Sequence, residues 1–102
     1  MTVYVDRLAS WGFRLRGRTV QSCHLFTDGV DIEELHSFAE QIGMRRAWFQ
    51  PHDVAPHYDL TAVRRAAAVS LGAIEVNWRQ ASRIWRLRRL AVQAGGDSSG
   101  AP

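Results

Sequence analysis

Apolar and polar positions recur along this chain with a regularity that divides it into short elements. Thr2-Val3-Tyr4-Val5-Asp6 is β-branched and aromatic and ends on a carboxylate, which predicts a strand. A second strand is expected from Thr19 to Phe26. Between them, Arg7 to Arg18 carries Trp11, Phe13, two glycines and four arginines, and periodicity leaves it open between a hairpin turn and a mobile basic loop. Thr27-Asp28-Gly29 is turn chemistry. Asp31 then opens a helix as N-cap, with Glu34 at capping-box spacing. Ile32, Leu35, Phe38, Ala39 and Ile42 share one face of that helix, and Gly43 supplies its stop.

Ala47-Trp48-Phe49-Gln50 reads as a short buried strand, followed by a proline-bounded loop from Pro51 to His57. Asp59 is placed as N-cap of a second helix from about Leu60 to Leu71, stopped by Gly72. Ala73 to Asn77 is a last strand, and Trp78 to about Ala94 a third helix. Residues 1–94 are thus expected to form a single α/β domain, in two or three layers. Three helices would cover a mainly parallel four-stranded sheet. Residues 95–102, made of small and polar types, are expected to be a disordered tail.

Composition adds constraints. A chain of 102 residues, 46% hydrophobic, suits one small core. All thirteen basic residues are arginine, a bias that a GC-rich genome explains without any function. The net charge of +3 favours anionic partners only modestly. Cys23 is alone, so no internal disulfide can form, and a reducing cytoplasm is the expected location. No apolar run approaches the ~20 residues of a membrane span, and no signal-peptide pattern opens the chain.

If the strands are parallel, their following loops gather at one sheet edge, where ligands bind in open α/β sheets. Asp6, His24, Asp28, His52, Asp53, His57 and Asp59 all fall at or near predicted strand ends. Each has a purely structural reading: Asp59 as a cap, Asp28 as a turn residue, His24 as a core histidine. Asp6, His57 and Asp59 are the candidate catalytic and metal-binding residues, because imidazoles and carboxylates together bind a divalent metal or exchange protons. No HExxH, glycine-rich phosphate loop or GxSxG is present. Cys23 and His24 do not form a nucleophile–base pair, since adjacent strand residues point to opposite faces.

On the third helix, Arg79, Arg83, Arg86 and Arg89 fall within an arc of about 120°. They are the candidate nucleic-acid-binding residues; a solvated helix face is the structural alternative. Trp78 and Trp85, seven apart, are expected in the core or a dimer interface.

Four motifs occur in order: Thr2-Val3-Tyr4-Val5-Asp6, Glu34-Leu35-His36, Trp48-Phe49-Gln50 and His57-Tyr58-Asp59-Leu60. From Thr2 to about Arg83 the chain resembles a small domain-of-unknown-function family of bacteria and their phages. The resemblance implies that Asp6, His36, Gln50, His57, Tyr58 and Asp59 belong to the family pattern, and that the setting is a phage or prophage. Three function classes remain open. They are a nucleic-acid-associated domain, a small metal-dependent hydrolase or nuclease with an Asp/His cleft, and a phage-type modulator of a host protein. The candidate cofactor is a divalent metal. The candidate partners are nucleic acid, a host protein or a second copy of the chain, with no membrane.

Overall fold

A computed structural model describes residues 2–99, with side chains described to residue 95. Four strands form the main sheet in the order β5-β4-β1-β6: β1 (Val3–Val5), β4 (Cys23–Thr27), β5 (Tyr58–Leu60) and β6 (Ile74–Glu75). β2 (Arg14–Leu15) and β3 (Arg18–Thr19) make a separate two-stranded hairpin between β1 and β4. The helices are α1 (Ile32–Gln41), α2 (Ala62–Ser70) and α3 (Trp78–Ser99). None of them is long and apolar enough to cross a membrane.

The α/β class and the three helices stand, but the sheet is mixed. β1 pairs with β6 in parallel, whereas β1–β4 and β4–β5 are antiparallel. The expectation of a mainly parallel sheet fails because β1 returns directly into β4 through the hairpin segment. With no helix between them to carry the chain back across the sheet, neighbouring strands pair antiparallel.

Alternation along the strands then divides the domain into three layers. Val3, Val5, Cys23, Leu25, Tyr58 and Leu60 face one side, where Leu35 and Ala39 of α1 and Ala68 of α2 complete the main core. Tyr4 and Phe26 face the other side, stacked at 5.7 Å, and Ala81 and Trp85 of α3 pack there. Cys23 is fully buried in the main core while His24, its neighbour, lies on the α3 side. Burial pushes the Cys23 thiol up to about 12, helped by the charge of Asp6, which disfavours the nucleophilic thiolate.

The first helix forms where its pattern predicts, capped by Asp31, with no reciprocal capping-box bond from Glu34 among the described residues. The Asp31 side chain accepts from the Glu33 N–H at 3.0 Å, and Ile32, Phe38 and Ile42 flank the buried Leu35 and Ala39. Gly43 has φ +82°, and a Cβ there would lie 2.6 Å from the Arg64 guanidinium, which donates to the Ile42 carbonyl. Three elements differ from expectation. The strand expected from Thr19 to Phe26 is broken: Thr19 belongs to the β2–β3 hairpin and β4 starts only at Cys23. Arg46–Trp48 is a short 3-10 helix rather than a buried strand, and Trp48 is exposed between the guanidiniums of Arg45 and Arg64. The edge position next to β4 is taken instead by Tyr58–Leu60, so Asp59 lies within a strand and Thr61 takes the N-cap position of α2, with no side-chain capping bond.

α3 starts with a reciprocal cap. Asn77 Oδ1 accepts from the Gln80 N–H at 2.9 Å, and Gln80 Oε1 accepts from the Asn77 N–H at 2.8 Å. Arg88 donates to the Gly29 carbonyl at 2.7 Å and ties the helix to the loop after β4. Beyond it, residues 89–95 are exposed. The helical backbone continues through Ser99, past the end expected near Ala94; residues 100–102 of the expected tail lie outside the described residues.

Candidate metal centre

β1 ends at Val5, and the next residue, Asp6, lies opposite His24 on the antiparallel neighbour, with the Asp6 N–H donating to the His24 carbonyl at 3.3 Å. Both oxygens of the buried Asp6 carboxylate are used on this one residue. Oδ1 accepts the His24 backbone N–H and Oδ2 accepts from ring Nδ1, each at 2.6 Å. Arg65 of α2 holds the corner by donating to the Asp6 carbonyl at 2.9 Å and to Glu75 at 2.9 Å.

On its other side His24 pairs in register with Asp59 of β5. His24 Nε2 lies 4.0 Å from Asp59 Oδ1, and His57 Nε2 lies 3.4 Å from the same oxygen. The two imidazoles meet edge to face with centroids 4.7 Å apart. His57 Nδ1 donates to the Ala55 carbonyl at 2.6 Å, and main-chain bonds with Gln50 fasten His57 just before β5. Ligand atoms from His24, His57 and Asp59 therefore lie within 4.8 Å of one another, all half-buried.

Tautomers follow from these partners. A carboxylate and a carbonyl can only accept, so each ring carries its proton on Nδ1 when neutral. Each Nε2 then presents a lone pair towards Asp59. Three electron-rich atoms converge, an arrangement that a cation or a proton must relieve. The titration shifts agree. Burial works against the imidazolium of His57, but the Asp59 carboxylate and the Ala55 carbonyl outweigh it and raise its pKa. The hydrogen bond from His57 holds the Asp59 carboxyl below the usual range against its partial burial.

Two indoles flank His24. Trp11 lies at 5.0 Å and Trp85 at 6.0 Å between centroids. Trp85 also packs on Phe26, and its Nε1–H is buried without a hydrogen-bond partner. Trp78, by contrast, is exposed, with Arg79 stacked over it, and does not share the packing of Trp85.

The polar residues expected at one edge divide into groups. Asp6, His24, His57 and Asp59 come together. Asp28 sits at the far end of β4, where it accepts from the Thr2 N–H and the Tyr4 hydroxyl, because β4 runs antiparallel. His52 and Asp53 stay exposed in their loop, His52 Nδ1 accepting from the Val54 and Ala55 N–H groups. Tyr58 points to the opposite face and meets His36 Nδ1 at 2.6 Å in the core. Asp6 stands behind His24 rather than beside Asp59. His24, placed by the sequence among the converging strand-end residues with a core histidine as its structural alternative, is the residue through which the others connect. Its signal was the alternation Cys23/His24/Leu25, which puts the one histidine of a largely apolar strand on the face opposite the main core.

Arg79, Arg83, Arg86 and Arg89 are all exposed on α3, and none forms an ion pair among the described residues. No curated protein and no solved structure matches the chain. Residues 3–89 do match the family described as "Protein of unknown function (DUF4031)", and the chain belongs to that family.

Proposed function

We propose that this domain is a metal-dependent hydrolase of phosphodiesters, with His24, His57 and Asp59 holding a divalent cation and Asp6 orienting His24. The observation that carries this reading is the convergence of both Nε2 atoms on one Asp59 oxygen, at 4.0 and 3.4 Å, with both Nδ1 atoms tied back. Metal-ligating histidines characteristically donate the second ring N–H to a carboxylate or carbonyl, which fixes the tautomer and raises ligand basicity. A two-histidine, one-carboxylate set suits Zn²⁺, Mn²⁺ or Fe²⁺ better than Mg²⁺ or Ca²⁺, which prefer oxygen. When bound, such a cation supplies Lewis-acid polarisation of a phosphoryl oxygen and a water acidified towards neutral pH. The protein's share is to hold three ligands, leave further coordination positions open, and limit solvent with Trp11 and Trp85.

The substrate class rests on charge. Four exposed arginines along α3, in no ion pair among the described residues, offer sequence-independent contacts to a polyanion, which favours nucleic acid over a neutral ester.

Metal titration tests the centre directly. Co²⁺ should give a visible d–d spectrum, and Zn²⁺ should raise thermal stability by about 2.7 kcal/mol at a hundred-fold excess over Kd. His24→Ala and His57→Ala should each abolish both signals. A wild-type protein that binds neither ion would end the hydrolase reading.

A further inference from the structure

Trp11 is 52% exposed although its ring lies 5.0 Å from that of His24. A large indole left in solvent against an imidazole of the candidate centre forms a wall of that centre. It is carried on an arm whose position is fixed at both ends. The Ala9–Ser22 bridge closes the base with two 3.0 Å hydrogen bonds, and Asp6 and His24 lie just outside it. Beyond Trp11 the arm forms the β2–β3 hairpin, turning through Arg16 and Gly17 at φ 52° and 79°, the two positive values of a tight primed turn. Arg7, Arg14, Arg16 and Arg18 are exposed, and none pairs with a carboxylate among the described residues. The segment from Arg7 to Gln21 contains no Asp or Glu at all.

We propose that this arm binds single-stranded nucleic acid, stacking one base on Trp11 and meeting neighbouring phosphates with its arginines. The charge calls for a polyanion, and the exposed indole calls for a flat ring within it. Single strands supply both, because an unpaired base can leave its stack and offer a π-face, whereas duplex bases are already stacked on both sides. Stacking on aromatics tolerates any sequence, and phosphate contacts carry none. The inference deepens the hydrolase reading by naming its substrate, and it rests on that reading only for what happens to the strand once bound.

Binding is measured by fluorescence anisotropy on the full chain without added metal. The probes are a labelled single-stranded DNA, a single-stranded RNA, the corresponding duplex, and an acidic peptide of equal charge. A single strand should bind more tightly than the duplex or the peptide. Trp11→Ala should weaken that binding about tenfold or more, as for removal of one stacking platform. Trp11→Phe should restore most of it. Arg14, Arg16 and Arg18 changed together to Ala should flatten the salt dependence by ~0.7 per lost phosphate contact. Unchanged affinity in Trp11→Ala, or equal affinity for duplex or peptide, overturns the proposal. The Co²⁺ spectrum separates the two ideas. Its absence in wild type sinks the metal centre while strand binding still decides the arm, and its persistence in Trp11→Ala with binding lost supports the arm.

Discussion

Asp6 holds His24 at two points, taking its backbone N–H and its ring Nδ1, each at 2.6 Å. A contact of this kind fixes both the strand position and the ring orientation of one residue. It makes Asp6 a positioning residue for His24, not a partner of Asp59.

If His24, His57 and Asp59 hold a cation as proposed, Asp6→Asn should weaken its binding without removing a ligand. Loss of a carboxylate behind a ligating histidine typically costs about 10–100-fold in metal affinity. Competition with a chromophoric chelator should show a loss of that order, against complete loss in His24→Ala. An affinity equal to wild type would place Asp6 outside the centre.

The buried pair His36–Tyr58 lies on the opposite face of the sheet, and burial keeps the His36 ring neutral so that the Tyr58 hydroxyl donates to it. Tyr58→Phe leaves a buried acceptor unpaired and should cost about 1–3 kcal/mol of stability in urea denaturation. Metal affinity should stay at the wild-type value. A shift in affinity would mean that the two faces are coupled through β5.

The pH dependence of stability carries a signature of His36. Burial first, then the charge of Arg46, lowers its pKa below the ordinary 6.5. Between the lowered and ordinary values the unfolded chain binds more protons than the folded one, so stability rises with pH there. On acidification from neutrality, the His36 contribution begins to fall near 6.5 and is lost as pH drops through the lowered folded-state value. His57, with a raised pKa, works in the opposite sense: its contribution is present at low pH and lost as pH rises through the raised value. Comparison of wild type with His36→Gln in urea at neutral and mildly acidic pH isolates the first effect. The variant should lose less stability on acidification, and an identical loss in both proteins would contradict the assignment.

The α3 stripe makes a separate statement about nucleic acid. Arg83 and Arg86 are exposed, so their joint replacement by Ala should leave the fold intact. Affinity should fall by a similar factor for every sequence, and the salt slope on a single strand should flatten by ~0.7 per lost phosphate contact. If affinity and slope match wild type, α3 does not face the strand.

Local chemistry was sufficient for several elements. Asp31, five apolar residues at helical spacing and Gly43 specify α1, because cap, buried face and stop all lie within one short segment. The β-branched and aromatic run of Thr2 to Asp6 likewise marked β1 as a strand. Asp59 shows where local reading failed. A carboxylate just before a helical pattern resembles a cap, and a three-residue strand is too short to display a period. Trp48 and Phe49 have strand-forming side chains, but the place beside β4 went to Tyr58–Leu60, whose two apolar residues bury completely there.

The sequence by itself determined the class of the domain, its helices and the residue types that a metal would need. Those depend on short-range periodicity, caps and side-chain chemistry. Which of those residues meet was decided only by the tertiary structure, because strand direction is a non-local choice. The antiparallel return of β1 into β4 carried Asp28 to the far end of the sheet and set His24 between Asp6 and Asp59. Parallel pairing would have gathered the strand-end carboxylates at one edge; antiparallel pairing instead aligned a strand's first residues with its neighbour's last.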